Sequence, residues 1–466
     1  DVDHDDITEN IWENTGEIPD NGIDDDHNGY VDDIHGWNFI GREDGENISG
    51  ESLEYTRIFA AYDEKYSKVE RRDLPKGERK DYDLYLKVKD IYLSELEQAN
   101  SNLQVYKVFR HKYSTAHSYI AAVLNKDDYT KEEVEAISPE NENIAWAKRF
   151  IIAMKNDNIT LSSIDQWISN VQSRLDTKLN RDNMPRLTIG DDLTDITDSI
   201  YGNNDYNGGT ASHGTSVAGV IGALGGNGMG IDGIGGDVKV MVVRVVPGGD
   251  EYDKDVALGI RYAVNNGAQI INCSFGKMFS PQKEMVDDAI RYAEKRGVLI
   301  IHAAGNEGLN NDKNLRYPTK RFNDNDEANN FIDVGASGSF IGSALPASFS
   351  NYGKKSVDLF APGANITSLA PGNRTSSPSG TSMAAPVVAG VAAMLLSYFP
   401  ELPAVELKEI LLASVYDVGS VKVSVPGETK KKKKFKKICK TGGIVNAYSA
   451  VKMADERTSQ GLQSKK

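Results

Sequence analysis

The sequence predicts an α/β fold, a mostly parallel sheet covered by helices and interrupted by a largely helical insertion. Three observations carry this. From Ile200 onward, short β-branched runs alternate with amphipathic stretches at the spacing of βαβ units. Between about residues 51 and 187 glycine almost vanishes, and long charged stretches repeat apolar residues at helical spacing. Most of the 43 glycines lie after residue 200, so tight turns and close backbone approaches concentrate there.

The elements follow in order. Residues 1–50 read as the N-terminal part of the main domain, turn-rich and acidic from Asn21 to Gly41. Residues 51–190 read as the insertion: Tyr82, Tyr85, Leu86, Tyr92, Leu93 and Leu96 mark one long amphipathic helix. Pro139 and the Asn141–Asn143 stretch break the pattern, and Ile164 to Leu179 resumes it. Residues 191–455 form the main domain, with strands expected over Val238–Val246, Gln269–Phe275 and Val298–Ala304 and helices over Val256–Asn265 and Lys283–Arg296. The tail, 456–466, is expected to be disordered. In such sheets catalytic groups gather at the carboxyl ends of the strands.

Composition removes several functions. The chain has 466 residues with 68 Asp and Glu against 53 Lys and Arg, a balance of −15, which excludes a general nucleic-acid binder. Hydrophobic content of 39% excludes a wholly disordered chain. Two cysteines, Cys273 and Cys439, exclude a disulfide framework, and Cys273 in its apolar run reads as a core thiol. The longest apolar run, Val387 to Leu396, is well short of the ~18 residues of a membrane helix, so no transmembrane segment is expected. The acidic start, Asp1 to Asp6, is the reverse of a signal peptide and suggests that something precedes it.

Three glycine-flanked segments carry chemistry. In Ser212-His213-Gly214-Thr215-Ser216-Val217-Ala218-Gly219 the imidazole stands at the first turn of a helix of small residues, as a structural histidine or as a base. In Ala303-Ala304-Gly305-Asn306-Glu307-Gly308, Asn306 ends a buried strand, as a turn residue or with its amide aimed at an oxyanion. In Ser379-Gly380-Thr381-Ser382-Met383-Ala384-Ala385-Pro386, Thr381 or Ser382 is an N-cap, or Ser382 is a nucleophile on a helix N-terminus that favours negative charge. Together the segments supply the nucleophile, base and oxyanion donor of acyl transfer.

These motifs resemble those of the subtilisin-like serine proteases, the subtilase family, and fall in the family's order, His213 before Asn306 before Ser382. The likeness covers about residues 1 to 45 and 195 to 455 and leaves the insertion outside. It implies a three-layer sandwich with a mostly parallel central sheet. It also implies a serine endopeptidase acting on peptide or protein substrates, secreted or in the cell envelope. Ser382 would attack the carbonyl, His213 would carry the proton, and Asn306 with the Ser382 N–H would hold the oxyanion. Ile271-Asn272-Cys273-Ser274-Phe275-Gly276 resembles the substrate-pairing strand, so Ser274, Phe275 and Gly276, with Gly305, would bind extended peptide. A lipase-type G-x-S-x-G elbow is absent around Ser382.

The family's third residue, an aspartate that orients the histidine, is missing. It should open a turn about seven residues before a His; His4 fits that His, which puts the aspartate about four residues upstream of Asp1. Neither Asp1 nor Asp3 has the right register. Either the aspartate lies upstream of this chain, or the protein is a catalytically inactive subtilase-fold peptide-binding protein.

Two further features stand apart. Asp24-Asp25-Asp26-His27-Asn28-Gly29-Tyr30-Val31-Asp32 follows the rhythm of a calcium loop, with Asp24, Asp26, Asn28, the Tyr30 carbonyl and Asp32 as candidate ligands for structural calcium. The expected bidentate Glu is replaced by His35, and an acidic solvated turn is the alternative reading. Lys430 to Lys434, with Lys436 and Lys437, reads as a solvated hairpin tip or as a contact for an anionic partner.

Overall fold

β-Branched runs and glycine-poor stretches segregate into separate bodies. A computed structural model describes residues 1–208 and 211–464, with side chains set aside at 429 and from 460 onward. The chain divides into two compact units, one of Asp1–Ser49 with Pro185–Lys466 and one of Gly50–Met184. The helical unit stops short of residue 190 because Arg186 is buried between Asp191 and Asp255, both of the larger unit.

Ahead of the helical unit lies β1 (Gly36–Asn38). The unit itself holds α1 (Glu54–Tyr66), α2 (Arg79–Leu124), α3 (Lys131–Ala136), α4 (Glu142–Asn156) and α5 (Leu161–Asp176). α2 runs 46 residues, about 69 Å at 1.5 Å per residue, and stops at Asn125 in the left-handed region. Thr130 with Glu133, and Thr160 with Ser163, form capping boxes that start α3 and α5. Phe59 of α1 stacks on Tyr92 of α2 at 4.5 Å between centroids.

The larger unit continues with α6 (Ser212–Gly222), β2 (Val242–Arg244), α7 (Asp253–Asn265), β3 (Ile270–Cys273), α8 (Lys283–Lys295), β4 (Leu299–Ala303) and β5 (Phe331–Ser337). Then come β6 (Leu359–Pro362), β7 (Ser368–Ala370), β8 (Arg374–Ser376), α9 (Thr381–Tyr398), α10 (Ala404–Ala413) and β9 (Tyr416–Asp417). β10 (Lys422–Val425), β11 (Glu428–Lys434), β12 (Gly443–Ile444) and α11 (Ala447–Ser464) complete it. The main sheet has the order β3-β4-β5-β6-β12-β9, parallel throughout except for β9. β1 and β2 form a separate parallel pair. The strand expected over Val238–Val246 pairs regularly only over Val242–Arg244, because its partner spans three residues.

The side-chain alternation of β4 and β5 makes the layers. Leu299, Ile301, Ala303, Ile332, Val334 and Ala336 face the cluster formed with α9 and α10. Val298, Ile300 and Phe331 face the cluster formed with α7 and α8. Strands buried on both faces need near-continuous apolar runs, which is how they read in the sequence. Among the described residues α9 alone is long and apolar enough to cross a membrane, and it is 67% buried as the central helix of the fold.

Two expectations change. Lys430 to Lys434 lies within β11 and not at a hairpin tip; the turn is Pro426–Gly427, and Val423 and Val425 opposite bury one face of the ribbon. The tail expected to be disordered from Glu456 continues α11 to Ser464, with 465 and 466 outside the described residues. Ala450 and Ala454 are fully buried, and Arg457 pairs with Glu406 and Glu409 of α10.

Candidate active site

The three chemical segments lie at the ends of elements that pack on one another. α6 packs against α9, and α9 lies across β3 to β6. Ser382 is the second residue of α9 and is half-buried. Neither it nor Thr381 is the N-cap: Gly380 holds that position, and having no side chain it caps none of the first helix amides.

Asn306 is fixed from two directions. Its Oδ1 accepts from the Thr381 N–H at 2.8 Å and from the Thr381 hydroxyl at 3.0 Å. Of the two polar atoms of an Asn amide only the oxygen accepts, so the other is the Nδ2 donor. That donor lies close to the space over Gly380: a Cβ there would lie 2.8 Å from Ser382 Oγ and 3.6 Å from both Asn306 Nδ2 and Ser382 N. Glycine at 380 therefore leaves open the volume on which a hydroxyl and two N–H donors converge, the arrangement a tetrahedral oxyanion requires.

Gly305 needs its glycine, with φ +104 and Asn351 Nδ2 at 2.4 Å from where a Cβ would stand. The fully buried Asn351 was not singled out in the sequence, yet it organises the loop. Its Oδ1 accepts from the N–H groups of Glu307 and Leu309, and its Nδ2 donates to Ala304 O and Glu307 Oε2. Glu307 also pairs with the mostly buried Arg316.

Ser274 reaches Ser382 directly. Pro386 lacks the N–H that would bond the carbonyl four residues earlier, so Ser382 O is left without its helical donor. Ser274 Oγ donates to it at 2.9 Å and accepts from Asn272 Nδ2 at 2.9 Å. The proline inside α9 thereby ties the substrate-strand candidate to the nucleophile candidate. Phe275 is half-buried and Gly276 exposed, with a Cβ at Gly276 falling 3.0 Å from Tyr317 O.

His213 lies in the first turn of α6 and remains exposed, yet the protein crowding its ring pushes its pKa below the usual imidazole value by desolvation. Among the described residues no carboxylate hydrogen-bonds or ion-pairs with it.

In the acidic loop the structure gathers Asp24 and Asp26 with Glu17, their ligand atoms all within 4.8 Å of one another. Asn28 donates to the Asp24 and Asp26 carboxylates, and Tyr30 follows in the same turn. Asp32 faces elsewhere, accepting from the Asn21 and Gly22 N–H groups at 3.2 and 2.9 Å. Glu17 precedes the motif and had no sequence signal of its own.

A model described as the subtilase family matches residues 113–442. The chain is 33% identical to the cell wall-associated protease of Bacillus subtilis (strain 168) over 227 residues, 48% of this chain and 24% of that protein. It is 35% identical to subtilisin DY of Bacillus licheniformis over 226 residues, 47% of this chain and 76% of that one. A protease from Pseudoalteromonas arctica PAMC 21717 aligns structurally with a TM-score of 0.42 and 30% identity, covering 52% of this chain and 70% of that one. The chain thus spans about a quarter of the first relative's length.

Proposed function

The chain belongs to the subtilase family, and on that footing we propose that it is a serine endopeptidase in which Ser382 attacks the peptide carbonyl and His213 carries the proton. One observation supports this above the others: Ser382 Oγ, Ser382 N and Asn306 Nδ2 converge on the space over Gly380. The substrate is an extended segment of peptide or protein, laid along Ser274 to Gly276 and over Gly305. The carboxylate that would orient His213 falls, on the family pattern, about four residues before Asp1. The relative named a cell wall-associated protease favours a place outside the cytoplasm, in the envelope or secreted.

Asn306 is the residue to test. Asn306→Asp keeps the oxygen that Thr381 holds and removes the N–H donor. Its expected effect is a loss of about 10²–10³ in kcat with KM little changed. An unchanged kcat would remove the oxyanion role. A second reading, which differs from the first if no aspartate precedes Asp1, is a peptide-binding protein without turnover. It predicts that Ser382 resists a fluorophosphonate even when an aspartate is supplied upstream.

Calcium is proposed at Glu17, Asp24 and Asp26, three carboxylates that ion-pair with no Lys or Arg among the described residues. A hard divalent cation suits such oxygen ligands. Saturating calcium at about 100 times Kd stabilises by about 2.7 kcal/mol, so EDTA should lower Tm measurably. Glu17→Gln should abolish that response and Asp32→Asn should leave it. A melting temperature indifferent to EDTA would eliminate the ion.

A further inference from the structure

The densest charge on the molecule lies outside the site described so far. Between Ser420 and Lys440 the sequence carries nine lysines against one glutamate, in a chain whose balance is −15. The lysines are mounted on a rigid frame, because β10 and β11 pair antiparallel and Val423, Val425 and Phe435 are buried beneath them. Lys422, Lys430, Lys432, Lys434, Lys436 and Lys437 are exposed. Within β11, Lys431 alone forms an ion pair among the described residues, with Glu428. Lys422 stands directly opposite Lys434, and like charges so placed destabilise a ribbon. An anion laid along the ladder relieves that repulsion.

Two observations choose the anion. The hairpin begins at the loop that carries Asn306: the Gly427 N–H donates to Ser348 O at 3.0 Å, and a Cβ on Gly427 would lie 2.6 Å from Gly308 O. In addition β11 pairs with β10 alone, so its other edge is open among the described residues. Lys432 and Lys434, in regular register with Ser424 and Lys422, stand on one face of β11 about 7 Å apart, the spacing of alternate side chains in a second extended strand, and Lys430 lies in the bulge just before them. Open backbone donors and acceptors with lysines at strand period fit an extended acidic polypeptide better than a sheet of lipid headgroups.

We propose that the β10–β11 hairpin is a recruiting surface that binds an acidic extended stretch of a substrate polypeptide beside the cleft. The proposal rests on the peptidase reading above, and the test separates the two. The full chain is offered two quenched peptides with one cleavable core, flanked by a run of glutamates or of serines. At low salt the acidic peptide should show a KM lower by about tenfold, and the gap should close near about 0.5 M NaCl, where screening is complete within a few Å. Lys430→Gln, Lys432→Gln and Lys434→Gln together should remove the gap and leave the serine peptide's kcat/KM unchanged.

A binding arm uses the Ser382→Ala chain and fluorescence anisotropy of the labelled peptides. Tighter binding of the acidic peptide, lost in the triple Gln variant, supports the surface even if no peptide is hydrolysed after an aspartate-bearing segment is supplied upstream, in which case only the peptidase reading falls. Equal KM and equal affinity for the two peptides overturns the proposal, as does a preference that survives the triple variant. Lysine-dependent sedimentation with phosphatidylglycerol vesicles, without any preference among peptides, overturns it in favour of a membrane.

Discussion

Replacing Ser382 by alanine is expected to lower turnover about 2 × 10⁶-fold in a protein that supplies a carboxylate to His213, but only about 70-fold in residues 1–466 by themselves. The difference arises because triad members act as a unit. Losing the orienting carboxylate alone costs about 3 × 10⁴, and once it is gone the serine and histidine have little left to lose. Residues 1–466 should therefore hydrolyse casein barely above background, and adding an aspartate-bearing upstream segment should restore about four decades. The pH profile gives an independent reading. Desolvation holds His213 below its usual 6.5, so its neutral, proton-accepting form persists into mildly acidic solution. The acid limb of kcat/KM should lie below pH 6.5 in residues 1–466 and move upward once an anion against the ring favours the imidazolium. Full protease rates from residues 1–466, or an acid limb that does not move, would count against the triad.

The candidate chemistry could be read from the sequence because its residues sit in short, contiguous motifs. His213, Asn306 and Ser382 each stand where a strand ends or a helix begins, and glycine on either side marks the turn. What holds them in place was not legible, because it comes from distant positions. Asn351 orders the loop around Asn306 from 44 residues away in sequence, through Glu307. Ser274 meets Ser382 across 108 residues, and the one local hint is Pro386, which cannot supply the helical donor to the Ser382 carbonyl. Glu17 joins the acidic loop by the same kind of return, its two oxygens accepting from the N–H groups of Asp26 and Asp32. The βαβ alternation placed β3, β4, α7 and α8 to within a few residues, since burial on both faces demands apolar runs. It could not place the lysines in a strand, because a run of like charge lacks the alternation by which strands are read, and the burial that fixes β11 is supplied by Val423 and Val425 across the ladder.

Arg186→Met is expected to cost about 3–5 kcal/mol of stability, the loss that follows when one partner leaves a buried ion pair. Arg186 is 1% exposed and donates to both oxygens of Asp255, at 3.0 and 2.7 Å, while also pairing with Asp191. Lys254, itself fully buried, donates to Asp191 at 2.6 Å, and the Tyr201 hydroxyl donates to Asp255 at 2.7 Å. Two cations thus balance two carboxylates, and removing one cation strands a negative charge away from water. Methionine of similar volume fills the space but cannot supply the charge. Arg186→Lys restores charge without the bidentate fork and should fall between the two. Burial raises the Asp191 pKa, but hydrogen bonds from Arg186 and Lys254 outweigh it and hold it below 3.8. Its contribution is therefore present above the ordinary carboxylate range and lost as pH falls through and below 3.8, so the gap between wild type and Arg186→Met should narrow in strong acid. The cluster fastens the segment leading to α6 onto α7 and touches neither Ser382 nor Asn306. Chemical denaturation should accordingly show the loss while turnover per folded molecule stays near wild type. A midpoint unchanged within about 0.5 kcal/mol would mean the cluster does not hold the segment.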